Sequence, residues 1–292
     1  MRPQAGQEFW QILWPPPNPH PPGMKSDTPP STELEATLVV RALEPAEVLA
    51  KITHLTALSD FDLRAADALT ICDLYFDTEN FDLREKGWGL RVRTISAKRL
   101  VTLKGSPKAT AWGAVAYTEL EREWSPEGFS LVFRHLAEIG VSLGEAAEIF
   151  DAADPVRTMK TAGLDIIQDR ETYRQVLQVL ATSSPEGREL AELVADRVTY
   201  RFMSCDIIHH EVEIEARRDD AGHAIMKIQE ALLEQFGPLL RTWVHSKLAT
   251  GIAIERLISL GEMDEVTWTG TLMPAAYDRI EALLSRGEAH WR

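Results

Sequence analysis

Apolar and polar residues alternate with a period of two through several separate stretches of the chain. The clearest are Glu33-Leu34-Glu35-Ala36-Thr37-Leu38, Leu90-Arg91-Val92-Arg93, Glu119-Leu120-Glu121 and Glu211-Val212-Glu213-Ile214-Glu215. Successive side chains of a strand point to opposite faces, so each stretch puts its charges on one face and its apolar groups on the other. Strands are predicted over 33–40, 71–76, 90–93, 100–105, 115–124 and 210–216, with a turn near Ser96-Ala97-Lys98 joining the third to the fourth. Two further extended runs, from Leu164 and over Leu190–Phe202, are predicted to pair across Ser183-Ser184-Pro185-Glu186-Gly187. Their composition also suits a helix. The turn sequence and the β-branched Val176, Val179, Val194 and Val198 favour a hairpin.

Between the strands the period lengthens to that of a helix. Glu44-Pro45 opens one with Val48, Ile52 and Leu55 inward, and Ser125-Pro126 caps another that buries Phe129, Val132, Phe133 and Leu136 before Gly140. Residues 144–162 read as helical, then irregular. A helix over 221–236 stops at Gly237-Pro238, a second starts near Ser246-Lys247, and Met273–Gly287 reads as a peripheral last helix dispensable for chemistry. About eight strands with amphipathic helices make an α+β fold. If the helices cover the outer face, the charged face must line the inside of a closed antiparallel β-barrel, a tunnel, and eight strands leave room there for a small ligand.

Composition narrows the function. The formal net charge of −14 over 292 residues argues against nucleic-acid binding. Cys72 and Cys205 form neither a disulfide framework nor a metal knuckle; both read as buried free thiols, which fits a reducing cytoplasm. No run is long and apolar enough to cross a bilayer. The proline-rich start reads as a disordered leader over 1–31, followed by the barrel domain over 32–260 and a helical tail over 261–292.

The alternating faces carry complementary charge. Glu33/Glu35, Glu119/Glu121 and Glu211/Glu213 are acidic, whereas Arg91/Arg93, Lys104 and Arg170 are basic. Guanidinium groups match phosphate oxygens in pairs and lysine supplies a point charge. Carboxylates in twos and threes suit Mg²⁺ or Mn²⁺, which bridge protein and polyphosphate oxygens. Together they describe a metal–polyphosphate site, where phosphoryl transfer needs positioning and charge neutralisation.

In this order the motifs resemble the CYTH superfamily, the triphosphate tunnel metalloenzymes, which include class IV adenylate cyclases, thiamine triphosphatases and inorganic triphosphatases. The likeness runs from Glu33-Leu34-Glu35 through Tyr75-Phe76-Asp77-Thr78, Leu90–Arg93, Thr102-Leu103-Lys104, Glu119-Leu120-Glu121, Arg170-Glu171-Thr172-Tyr173, Asp196 and Glu211–Glu215 to Ser246-Lys247-Leu248. It implies that Arg91, Arg93, Lys104, Arg170 and Lys247 grip a triphosphate. It also implies that Glu33, Glu35, Glu119, Glu121, Asp196, Glu211 and Glu213 hold Mg²⁺ or Mn²⁺ and position water, with Glu33, Glu35, Lys104 and Arg170 catalytic. The implied activity is hydrolysis of inorganic triphosphate or a small organic triphosphate. Class IV adenylate cyclase, and a polyphosphate-binding module with little turnover, stay open as alternatives. The expected partner is a small-molecule triphosphate, with no nucleic acid and no membrane, and a homodimer stays open. Two positions depart from the pattern: Thr37 stands where the family's first motif has lysine, and Tyr117 where an arginine often precedes the glutamates. On this reading Thr37→Lys should raise turnover.

Plainer readings stand beside these. Glu123 and Glu215 can be solvated strand ends, and Asp77 reads as a turn residue. His209 and His210 read as neutral members of a hydrogen-bond network, and Trp88, Trp112, Trp124 and Trp243 as packing residues.

Overall fold

A computed structural model describes residues 30–141, 143, 150–182, 187–262 and 267–286. Most of the expected leader and the turn at 183–186 lie outside the described residues. Along the chain come β1 (Ser31–Val40), α1 (Pro45–Thr53), β2 (Ala57–Leu58), β3 (Phe61–Ala65), β4 (Leu69–Asp77), α2 (Asp82–Glu85) and β5 (Trp88–Ile95). Then follow β6 (Lys98–Ala109), β7 (Val115–Glu123), α3 (Pro126–Glu138), α4 (Pro155–Thr161), β8 (Asp165–Ala181), β9 (Glu189–Arg201) and β10 (Asp206–Ala216). The last elements are α5 (Gly222–Phe236), β11 (Leu240–Trp243), α6 (Lys247–Ser259), β12 (Thr267–Trp268), β13 (Thr271–Leu272) and α7 (Pro274–Ser285).

Eight strands close on themselves in the order β1-β7-β6-β5-β4-β8-β9-β10, and β10 returns to β1. All these neighbours are antiparallel, and the closing ladder runs from Glu35 opposite Glu215 to Val39 opposite Glu211. Runs 164–181 and 189–202 do pair as a hairpin, with Arg174 opposite Asp196. β-Branched Val176, Val179, Val194 and Val198, all buried against neighbouring elements, outweighed the helix propensity of their Gln, Leu and Glu neighbours. Shorter strands flank the ring: β11 on β1, β3 on β8, and β13 on β10. The short β2, β3, β11, β12 and β13 carry no alternation long enough to read from sequence.

Helices cover the outer face where the alternation left it apolar. Val48, Leu49 and Ile52 of α1 and Ile225, Ile228 and Leu232 of α5 pack on Leu38, Leu193, Val212 and Ile214. Phe129, Val132 and Leu136 of α3 and Met159 of α4 pack on Leu90, Val92, Leu103 and Leu120. Ser125 caps α3 by accepting from Gly128 N at 3.1 Å, and Gly140 takes φ +79°, the left-handed turn glycine permits after a helix.

A third cluster fills one end of the barrel. Val39, Val198 and Tyr200 share the inward set of their strands with Thr37 and Asp196, and they meet Ala253, Ile254 and Leu257 of α6 and Tyr277 and Ile280 of α7. Helix α7 therefore buries one face, Ala276, Tyr277, Ile280 and Leu283, over this end of the barrel and is not the peripheral tail expected. Its apolar period was visible, but its docking on inward-facing strand residues was not. The thiols also differ from expectation: Cys72 is half-buried and Cys205, in the β9–β10 turn, is exposed.

Candidate active site

Beyond this apolar end the barrel encloses a chamber of about 760 Å³. Its wall takes Glu33 and Glu35 from β1, Arg91 and Arg93 from β5, Lys104 from β6, and Glu119 and Glu121 from β7. Arg170 and Arg174 come from β8, Glu213 and Glu215 from β10, and Lys247 from the start of α6. The period-two rule places each of the strand residues inward, since each sits an even number of residues from an inward neighbour on its strand, whereas Lys247 is brought in by the docking of α6. Buried charges at this density persist only when paired, and they form three linked groups.

In the first, Lys104 Nζ donates to Glu33 Oε2 at 2.6 Å and Glu35 Oε2 at 2.9 Å. The ammonium also lies 4.5 Å from the centroid of Tyr117, so the family's arginine position is here a π face under a cation. Arg91 donates to Glu119 Oε1 at 3.2 Å, and Thr102 donates to Glu121 at 3.0 Å. Burial would raise Glu33, but Lys104 outweighs it and holds the carboxyl at about 2. Burial pushes Glu35 up to about 8, with Glu213, Glu33 and Glu215 adding to it against Lys104. Burial and the Glu33 charge push Glu119 up to about 7.

In the second group, Asp73, 1% exposed, is the anchor. Arg93 grips it in a fork at 2.7 and 2.9 Å, and Arg170 donates to its Oδ2 at 2.8 Å. The Tyr75 hydroxyl accepts from Arg170 at 2.9 Å and from Arg91 at 3.2 Å. Burial works against the Asp73 charge, yet Arg93 and Arg91 outweigh it and hold the carboxyl well below its usual range. Arg170 lines the wall but is only 1% exposed; its guanidinium is taken up by Asp73 and Tyr75 and offers little surface to a ligand.

The third group centres on Arg174, which sequence reasoning passed over. It forks onto Asp196 at 2.9 and 2.7 Å and reaches Glu213 at 2.7 Å and Glu215 at 2.9 Å. Arg174 lies four residues after Arg170, so the same alternation could have found it. Glu215 is 7% exposed and belongs to the interior, whereas Glu123 is exposed. Lys247 Nζ sits 2.5 Å from Glu213 and 3.1 Å from Asp196, and also pairs with Glu211. Behind Glu211, His209 Nε2 donates to its Oε2 at 2.7 Å, and His209 Nδ1 accepts from the Tyr277 hydroxyl at 3.1 Å. Burial lowers His210, on the opposite face, to about 3.

Other expectations find their places. Asp77 accepts from the backbone N–H of Thr78, Leu83 and Arg84 at 2.8, 3.0 and 3.1 Å, holding the turn into α2. Trp243 and Trp124 pack in the core, while Trp88 both lines the chamber and meets His135 edge to face at 5.7 Å. Among the described residues no helix is long and apolar enough to cross a membrane.

A closed antiparallel ring with a charged bore and one apolar end defines a tunnel protein. The CYTH domain model matches residues 38–241, and the chain belongs to the CYTH family. The match begins after Glu35 and ends before Lys247. No curated protein matches the chain. Among solved structures it is similar to the putative adenylyl cyclase HpAC1 from Hippeastrum, described as having a dominant triphosphatase activity. The identity is 20%, covering 75% of this chain and 94% of that one, at a TM-score of 0.48. A putative adenylate cyclase from Bacillus halodurans is 20% identical over 74% of this chain and 96% of that one, TM-score 0.41. The S. pombe RNA triphosphatase Pct1 is 10% identical over 75% and 88%, TM-score 0.32. CYTH enzymes depend on metal, and the interior holds an acidic cluster, Asp196, Glu211 and Glu213, with ligand oxygens within 4.8 Å of one another.

Proposed function

We propose that the chain is a metal-dependent triphosphatase hydrolysing inorganic triphosphate or a small organic triphosphate in the chamber. The observation that carries this reading is the meeting of Arg91, Arg93, Lys104 and Arg174, from four positions on three strands, with carboxylates of β1, β7 and β10 around one cavity. Arg91, Arg93 and Lys104 would hold phosphate oxygens, with Arg174 neutralising the far wall.

The chamber's cations are already paired with carboxylates, so a triphosphate entering the chamber calls for added positive charge. The residues of β1 and β7 fit a hard divalent ion: Glu33, Glu35 and Glu119 each give one oxygen to Lys104 or Arg91 and keep the other without an ion pair among the described residues. Mg²⁺ or Mn²⁺ held there would supply charge neutralisation at the phosphates. In the metal-free chamber Glu35 and Glu119 are pushed up to about 8 and about 7, so a divalent ion held there would displace their protons on binding. Arg170, braced on Asp73, keeps Arg91 and Arg93 aimed.

The test is to give purified protein tripolyphosphate, ATP or thiamine triphosphate with Mg²⁺ or Mn²⁺ and to assay orthophosphate, pyrophosphate and cyclic AMP. Metal-dependent orthophosphate release is the expected result. Pyrophosphate with cyclic AMP would make the chain a cyclase, and tight binding without product would make it a binding module.

A further inference from the structure

The acidic cluster and the lysine that sequence reasoning assigned to the triphosphate occupy the same place. Lys247 Nζ touches all three carboxylates, at 2.5 Å from Glu213, 3.1 Å from Asp196, and in contact with Glu211. Asp196 and Glu211 have no exposed surface and lie behind the chamber wall. Every oxygen of the trio has a partner: Arg174 takes both of Asp196 and Oε2 of Glu213, and His209 takes Oε2 of Glu211. Glu211 Oε1 is buried with no hydrogen bond, and the ammonium is its charged partner.

The lysine is fixed by its own backbone. Ser246 Oγ caps α6 by accepting from Ala249 N at 3.2 Å, Tyr200 donates to Lys247 O at 2.8 Å, and Gln168 donates to Leu248 O at 3.2 Å. Gly251 lets the helix approach this closely, because a Cβ there would stand 2.2 Å from Gln168 Nε2 and 2.6 Å from the Tyr200 ring.

From this we infer that Lys247 is a built-in cation that fills the Asp196–Glu211–Glu213 site, so that this site takes no divalent ion while the lysine is present. The opposite wall is different: Glu33, Glu35 and Glu119 face the chamber with one oxygen each outside any ion pair among the described residues. That half of the inference rests on the metal–triphosphate reading; the Lys247 half does not. Lys247 then acts as a positioning residue, holding three carboxylates in place where a second metal would otherwise be needed.

The experiment is Mn²⁺ binding to the full chain, without substrate, counted by electron paramagnetic resonance and isothermal titration calorimetry. Wild type is compared with Lys247→Met and with Lys247→Gln, the second keeping a polar group if the first folds poorly. Both variants are expected to bind one more Mn²⁺ than wild type, and Asp196→Asn in either background should abolish the extra ion. An unchanged count in folded Lys247→Gln overturns the inference, as does wild type binding two ions with one lost on Asp196→Asn. If wild type binds none and the variants one, the role of Lys247 stands and the metal reading of Glu33 and Glu35 falls.

Discussion

Thr37 of β1 stands directly opposite Glu213 of β10, and the ammonium on Glu213 comes from Lys247 at 2.5 Å. Directly opposed residues have Cβ atoms about 5 Å apart, so a lysine at 37 would enter space that already holds a cation. The sequence-based expectation that Thr37→Lys raises turnover is therefore reversed. Thr37→Lys alone should leave kcat/KM unchanged or lower it, because two ammonium groups would compete for Glu213. In Lys247→Met the same change should recover activity. Steady-state kinetics on the four combinations decide this, and a clear gain in the single Thr37→Lys variant would contradict it.

Arg174 binds Asp196, Glu213 and Glu215 at once. Arg174→Ala would leave three interior carboxylates short of a cation, and breaking a buried pair costs about 3–5 kcal/mol. Arg174→Lys keeps the charge but not the fork and should lie between. Urea denaturation measures both. A loss below about 1 kcal/mol for the alanine variant, the range of exposed pairs, would mean that the network is not holding the wall.

Stability should fall with rising pH in the metal-free protein. Glu35 is raised from 4.5 to about 8 and Glu119 to about 7. A carboxyl raised on folding stabilises the fold while protonated; its contribution is whole below the unfolded value and is lost as pH rises through the folded one. Glu33, held at about 2, works the other way, but its contribution is lost only on acidification below 4.5. His210, lowered to about 3, opposes this up to about pH 6.5, so melting temperature should decline between about pH 6.5 and pH 8, and Glu35→Gln should flatten the decline. Thermal melts in chelator across that range check it.

Tyr277 gives its hydroxyl to His209, which in turn donates to Glu211. Tyr277→Phe would strand a buried ring nitrogen at a cost of about 1–3 kcal/mol. A fall in kcat at unchanged KM alongside that loss is expected, since Glu211 lies behind the wall and does not face the chamber. Full stability and full activity in the variant would return α7 to the peripheral role first expected.

Gly251→Ala places a methyl group into Gln168 and Tyr200. Overpacking of this kind costs about 1–3 kcal/mol, and the relief available is an outward shift of the α6 N-terminus, which carries Lys247. Reduced thermal stability together with extra Mn²⁺ binding is the expected pair of results, read by melts and titration.

The barrel was legible because its strands carry charge on every second residue, and alternation fixes which side chains share a face whatever the partners are. Glu33, Arg91, Lys104, Glu119 and Glu213 were found inside for that reason. The same rule holds for Arg174, which lies one residue beyond the Arg170–Tyr173 motif and so carries no family signal of its own. Asp73 was hidden for a different reason, since a lone acid among apolar residues gives no charge pattern, and Tyr75 stood in a recognised motif without a role in the interior.

By itself the sequence settled which faces of the strands are polar, because that depends only on local backbone geometry. Only the tertiary structure decided which cation meets which carboxylate, because that depends on strand register and on where α6 and α7 dock. Arg170 and Arg174 are four residues apart on one face, yet one braces Asp73 and Tyr75 while the other gathers three carboxylates. Lys247 had the residue type of a phosphate ligand, and a helix seated against Tyr200 and Gln168 turned it toward the acids instead.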